Sequence, residues 1–161
     1  MSVAYQPRSG VSLSSARSRT ALPAHVLIVS ADPLRLRHWR AMLVSRKFTV
    51  AAACPDEAVG FVLIDDSFDV ILLDSSGSHA AGLSLCRRMR SAGVILPVLI
   101  LDPYGRVEDL LDAFDAGTDA YVCDHAEDAE LLRWIGELCY RRGVEARGDA
   151  RSLVAAMSRA S

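Results

Sequence analysis

The segment Asp69-Val70-Ile71-Leu72-Leu73-Asp74, followed by Ser75-Ser76-Gly77-Ser78, decides the fold of this chain. Four consecutive apolar residues bounded by turn residues are typical of a short strand buried on both faces, as in a parallel sheet. Asp74 stands at the carboxyl end of this strand, which is the edge where open α/β sheets bind their ligands. Asp74 is therefore the central candidate site residue, although an acid at a strand end is also typical of a turn or a helix cap.

Composition and charge narrow the class of protein. The 161 residues provide one domain with tails, and 51% hydrophobic with 24% charged residues is typical of a soluble globular protein. A formal net charge of −2 indicates no strongly basic face for nucleic acid. The four cysteines are too widely spaced for a metal motif, which predicts reduced thiols in a cytoplasmic protein. No apolar run approaches the roughly 20 residues of a membrane span.

Strand and helix patterns alternate along the chain. Strand patterns occur at 25–29, 48–52, 70–74, 97–101 and 120–123, and helix patterns follow them at 33–46, 55–65, 82–90, 107–116 and 127–142. Asp32 is predicted to cap the first helix, because Pro33 suits the first helical position. Since parallel neighbours need crossover connections, the alternation predicts a doubly wound α/β domain with a five-stranded parallel sheet.

The chain divides into three predicted parts. Residues 1–23 are rich in Ser and Arg and contain no acid, which predicts a disordered tail. Residues 24–142 form the α/β domain. Residues 143–161 are rich in Ala, Arg and Ser and are predicted to be a C-terminal tail or a linker to another domain.

Several motifs give the α/β part a family resemblance. Asp74 ends the third strand, Gly82 opens the helix eight residues later, and Pro97 precedes the fourth strand. Asp32-Pro33 resembles the end of a D-D-x-P motif, and residues 116–121 resemble A-G-A-D-D-Y. With this spacing the domain resembles the receiver domain of two-component response regulators. The resemblance implies a flavodoxin-like (βα)5 fold with strand order 2-1-3-4-5.

In active receivers, a phosphoryl group passes from a phosphohistidine to the aspartate that ends the third strand. The family offsets the charge repulsion with a Mg²⁺ held by an acidic pair, a lysine after the fifth strand and a hydroxyl after the fourth. The resemblance therefore implies that Asp74 is the candidate phosphoacceptor and that a histidine kinase is a possible partner.

The metal-binding part of this set is replaced here. Ser30 and Ala31 stand at the positions of the acidic pair. Asp32 lies one residue too late and is expected to cap a helix, so that Asp32 and Asp74 would form only a weak metal site. We therefore expect no bound cofactor, with Mg²⁺ as the alternative.

The positive charge of the family site is also replaced. Asp102 stands at the hydroxyl position, Asp124 at the lysine position and His125 at the position of a cis proline, while Lys47, the one lysine, lies elsewhere. Two carboxylates about 5 Å apart repel by roughly 3 kcal/mol at an effective dielectric constant near 20. Asp74 is therefore predicted to be a poor phosphoacceptor. Alternatively, Asp74, Asp102 and Asp124 form an altered cation or proton site, or they are solvated caps and turn residues.

The sequence thus predicts an atypical, pseudo-receiver-type signalling domain that is not an enzyme. It would bind a protein partner or a second copy through the face of its fourth helix, fifth strand and last helix, where Tyr121 occupies the family's aromatic switch position. The alternatives are a conventional phosphorelay receiver phosphorylated on Asp74, or the regulatory domain of a longer DNA-binding transcription regulator. In the last case nucleic acid would bind a domain outside this chain, and no membrane partner is expected in any of them.

Overall fold

Parallel strands and helices alternate in the structure where the sequence predicts them. The computed structural model describes residues 3–5, 24–123 and 127–146. Its strands are β1 (Val3–Tyr5), β2 (His25–Val29), β3 (Thr49–Ala53), β4 (Val70–Asp74), β5 (Val98–Asp102) and β6 (Ala120–Cys123). Its helices are α1 (Pro33–Ser45), α2 (Pro55–Ile64), α3 (His79–Ser91), α4 (Val107–Asp115) and α5 (Asp128–Ala146).

The sheet has the order β1-β6-β5-β4-β2-β3, and β2 to β6 run parallel. Counted from β2, this order is 2-1-3-4-5, so the flavodoxin-like fold is confirmed. One core cluster packs the sheet against α2, α3 and α4, and a second packs it against α1 and α5. Every residue of β4 and β5 is buried, which explains their continuous apolar sequences.

The strand β1 is a feature that the sequence analysis did not find. Val3–Tyr5 pairs antiparallel with β6, with Val3 opposite Val122 and Tyr5 opposite Ala120. The prediction of a disordered tail is therefore wrong for residues 3–5, and residues 6–23 lie outside the described part of the chain. At the other end, α5 continues to Ala146, whereas the sequence pattern predicted its end at residue 142.

The connection between β2 and α1 has the geometry that the sequence predicts. Pro33 is the first residue of α1, and the Asp32 side chain caps it by accepting hydrogen bonds from the backbone N–H groups of Leu34 and Arg35. This cap fixes the first turn of α1 beside the carboxyl edge of the sheet. Within the described residues, no helix combines the length and the apolar character needed to cross a membrane.

Candidate functional site

Asp74 lies at the carboxyl end of the central strand β4, and its side chain is only 1% exposed. Three groups donate hydrogen bonds to its Oδ2 atom: Ser30 Oγ at 2.8 Å, Arg35 Nε at 2.8 Å and Ser76 Oγ at 3.0 Å. The backbone N–H of Ser76 donates to Oδ1 at 3.1 Å. The carboxylate is thus held by four hydrogen bonds from its own chain.

The pKa of Asp74 reflects two opposing effects. Burial alone would raise this pKa, because it penalises the charged form of a carboxyl group. The hydrogen bonds from Arg35, Ser30 and Ser76 outweigh burial, so the pKa of Asp74 lies below its ordinary value. Asp74 is therefore ionised at neutral pH, and the guanidinium group of Arg35 is its counter-ion.

Arg35 reaches Asp74 because of where α1 begins. It is the third residue of the helix, in the turn that Asp32 caps, and α1 follows β2, the neighbour of β4 in the sheet. A cation in the first turn is disfavoured by the helix dipole, and the contact with Asp74 offsets that cost. Arg35 is not among the site residues predicted from the sequence, because the family pattern points to a lysine after the fifth strand and not to an arginine in the turn that faces this edge.

The residues around Asp74 do not fit the magnesium ion that the resemblance implies. Ser30 and Ala31 provide no carboxylate, and Asp32 Oδ1 is engaged in capping α1, with Leu34 N at 2.8 Å. Arg35 already neutralises Asp74. Mg²⁺ is bound through one or two carboxylates with open positions for water and phosphate, and this arrangement offers one carboxylate that is already occupied.

Asp102 occupies the corresponding position on the next strand, at the carboxyl end of β5, and it is completely buried. The hydroxyl group of Tyr121 donates a hydrogen bond to Asp102 Oδ2. Burial, and then the contact with Asp102, raise the pKa of Tyr121, so that the phenol remains a protonated donor at neutral pH. Tyr121 is itself completely buried on β6.

A histidine and a second acid lie beside Asp102. His79 is the first residue of α3, with Nδ1 3.9 Å from Asp102 Oδ2 and Nε2 3.6 Å from Asp109 Oδ1. Asp109 lies in the first turn of α4, and its Oδ2 accepts a hydrogen bond from Arg106 Nε at 2.8 Å. One ligand atom from each of His79, Asp102 and Asp109 lies within 4.8 Å of the others.

The structure therefore gives two predicted site residues different partners. Asp74 contacts Arg35, whereas Asp102 lies with His79 and Asp109, two residues that the sequence analysis did not select. Asp124 and His125 lie outside the described residues, so a cluster of three acids stays a prediction. Tyr121 is buried, and it is not part of an exposed interaction face.

Comparisons with known proteins identify the family. A parallel sheet of order 2-1-3-4-5 with an aspartate at the end of its central strand is the arrangement of receiver-type signalling domains, although other flavodoxin-like proteins share the sheet order. The family model of the response regulator receiver domain matches residues 26–135, and the chain belongs to this family. Its function thus falls within two-component signal transduction, in which receiver domains interact with histidine kinases and other proteins.

Two curated relatives and one solved structure illustrate the similarity. The chain is 29% identical over 120 residues to Response regulator MprA of Mycolicibacterium vanbaalenii, covering 74% of this chain and 52% of the relative. It is 36% identical over 76 residues to Protein RcaC of Microchaete diplosiphon, covering 47% of this chain and 12% of the relative. The chain thus spans about half the length of the MprA relative and much less of RcaC.

The structural comparison supports the fold. The receiver domain of a Francisella response regulator aligns with a TM-score of 0.66 and 22% identity, covering 74% of this chain and 98% of that one. At this level of identity the likeness concerns the arrangement of strands and helices alone.

Proposed function

We propose that this receiver domain is atypical: it signals by binding a protein partner or a second copy, largely independently of Mg²⁺-dependent phosphorylation, and is not an enzyme. The observation that supports this proposal is the contact between Arg35 Nε and Asp74 Oδ2 at 2.8 Å. Arg35 gives Asp74 a permanent internal counter-ion where other receivers use an exchangeable metal ion.

The charges near Asp74 disfavour phosphoryl transfer. An acyl phosphate would add negative charge beside Asp102, the buried carboxylate on the adjacent strand. Each such repulsion amounts to roughly 3 kcal/mol at about 5 Å and an effective dielectric constant near 20. Arg35 already neutralises Asp74, and the described residues place no lysine at this edge to offset the added charge.

The face that includes α4 offers a surface for a partner. Tyr104, Val107 and Leu111, which precede α4 or lie on it, are 71%, 67% and 60% exposed. Val107 and Leu111 lie four residues apart and therefore share one side of the helix. Because β1 covers the outer edge of β6, a partner would contact α4 and α5 rather than an open strand edge.

Two further functions have specific support. The position of Asp74 at the end of β4 favours a conventional receiver phosphorylated on Asp74. The partial coverage of the MprA relative, 52% of its length, favours a role as the regulatory domain of a longer DNA-binding regulator. In both cases a cytoplasmic location is part of the proposal.

A phosphorylation assay separates the two leading functions. The full chain is incubated with acetyl phosphate and Mg²⁺ and its intact mass is measured, with Asp74→Asn as the matched control. We expect no mass increase of one phosphoryl group, because Asp74 is neutralised and no Mg²⁺ site adjoins it. A phosphorylated species in the wild type that is lost in Asp74→Asn would contradict the proposal and support a conventional receiver.

A further inference from the structure

We propose that His79, Asp102 and Asp109 bind a divalent transition-metal ion of the Zn²⁺ type, at a site separate from Asp74. The site joins three elements: the end of β5, the first residue of α3 and the first turn of α4. It does not depend on phosphorylation of Asp74, and it is not the position at which receivers hold Mg²⁺.

The three side chains present a plausible number and type of ligand. Catalytic Zn²⁺ sites use three protein ligands drawn from His nitrogen, Cys sulfur and carboxylate oxygen. Two ligands of one tetrahedral Zn²⁺ lie roughly 3.3 Å apart, given bond lengths of about 2.0 to 2.1 Å. His79 Nδ1 lies 3.9 Å from Asp102 Oδ2, and Nε2 lies 3.6 Å from Asp109 Oδ1. Because one ion binds only one of these nitrogens, the relevant set is one ligand atom from each residue; these atoms lie within 4.8 Å of one another, and side-chain rotation brings them to the spacing of Zn²⁺ ligands.

His79 lacks the partner that a metal would supply. Both of its ring nitrogens are shielded from solvent, and neither has a hydrogen-bond partner among the described residues. A buried polar atom without a partner costs about 1 to 3 kcal/mol. Asp102 Oδ2 lies just beyond hydrogen-bond reach of Nδ1, and Asp109 Oδ1 lies just beyond hydrogen-bond reach of Nε2.

Asp102 likewise lacks a direct counter-ion. It is completely buried, and the donor to its Oδ2 atom is the uncharged phenol of Tyr121. Within the described part of the chain, no Arg or Lys makes a hydrogen bond or ion pair with it. Buried charges are normally paired or bound to metals, and a divalent ion would supply the positive charge that Asp102 lacks, while Asp109 is already paired with Arg106.

Neighbouring residues orient both carboxylates toward the same space. Tyr121 donates to Asp102, and Arg106 donates to Asp109 Oδ2, which leaves Asp109 Oδ1 facing His79. Hydrogen bonds of this kind fix the ligands at many metal sites. The imidazole nitrogen favours Zn²⁺ over Mg²⁺ or Ca²⁺, because the latter two ions prefer oxygen ligands.

Calorimetric titration of the full chain with Zn²⁺ tests the proposal. We expect one bound ion per chain, affinity reduced roughly tenfold or more in His79→Gln and in Asp109→Asn, and no competition from Mg²⁺. The matched control is His38→Gln, which removes an exposed histidine of α1 and should bind as the wild type does. A second control, Cys54→Ser, removes an exposed thiol.

NMR spectra of the wild type test the site without relying on variants, which could fail to fold. The ring resonances of His79 should shift on Zn²⁺ addition, and should show paramagnetic shifts with Co²⁺. Absence of Zn²⁺ binding, unchanged affinity in folded His79→Gln, or loss of binding in Cys54→Ser alone would overturn the proposal. So would Zn²⁺ binding that leaves the His79 ring resonances unmoved.

Discussion

Asp74 and Asp102 end adjacent parallel strands and are both buried, yet their surroundings differ. Asp74 receives hydrogen bonds from the guanidinium group of Arg35 and from two serines. Asp102 receives hydrogen bonds only from uncharged groups, the hydroxyl of Tyr121 and, at 3.5 Å, the backbone N–H of Tyr104, among the described residues. Burying a carboxylate without a cation is costly. The comparison therefore teaches that Asp74 already has its counter-ion at this sheet edge, whereas Asp102 can accept an added cation. Substitutions that remove either partner test the difference.

The largest expected effect follows from removing the counter-ion of Asp74. Arg35→Ala would leave a carboxylate whose side chain is 1% exposed without its cation. Breaking a buried ion pair by removing one partner costs about 3 to 5 kcal/mol. Because the Arg35 side chain is 25% exposed, we expect a loss near the lower end, about 3 kcal/mol of unfolding free energy, measured by urea denaturation at pH 7.

A neighbouring arginine and a double mutant control this measurement. Arg37→Ala changes an exposed arginine of the same helix and should alter the unfolding free energy by less than about 0.5 kcal/mol. In an Asp74→Asn background, Arg35→Ala should cost much less, because no buried charge is left without a partner. Equal losses in the two backgrounds would contradict a counter-ion role for Arg35.

The sequence predicted the elements well because their signals are local. The strands of residues 25–29, 70–74 and 120–123 have the predicted bounds, and the other two begin and end one residue later than predicted. Asp32 caps α1 as expected, because Asp before Pro at a helix start is recognisable without tertiary information. Strand β1 escaped prediction because its three residues are too few for a periodic pattern.

The site was harder to predict because it depends on tertiary contacts. Arg35 lies 39 positions from Asp74, and its side-chain direction follows from the packing of α1 on β2 and β3. The helix pattern predicted a start at Gly82, whereas Ser78 caps α3 so that the helix begins at His79. His79 and Asp109 approach Asp102 because of the way the segments after the strands are arranged in space. A local sequence pattern contains no information about that arrangement.

A somewhat smaller effect is expected on the Asp102 side. Tyr121→Phe removes the hydroxyl that donates to a completely buried carboxylate. Hydrogen bonds to charged groups contribute about 1.5 to 3 kcal/mol, so we expect a loss of about 2 kcal/mol by urea denaturation. Tyr140→Phe, at an exposed tyrosine of α5, serves as the control and should be nearly neutral.

The dependence of the unfolding free energy on high pH provides a second measurement of the Tyr121 contact. Because its pKa is raised in the folded protein, the associated stabilisation is complete below the unfolded pKa of about 10 and is lost as the pH rises above it. The stability of the wild type should therefore fall more steeply above pH 10 than that of Tyr121→Phe. If the unfolding free energies of the wild type and of Tyr121→Phe fall equally steeply above pH 10, the phenol does not donate a hydrogen bond to Asp102.

The smallest expected effect comes from neutralising each carboxylate in turn, and it compares the two strand ends most directly. Because the folded pKa of Asp74 lies below 3.8, its stabilisation is complete above that pH and is lost as the pH falls through the folded value. Asp74→Asn should therefore lower the unfolding free energy at pH 7 by less than either substitution above and flatten its decline at acid pH. Asp102→Asn should change stability less, because an amide oxygen still accepts from Tyr121 while the unpaired charge disappears. Acid denaturation of both variants measures this difference, and a larger loss in Asp102→Asn would mean that Asp102, not Asp74, is the better satisfied carboxylate.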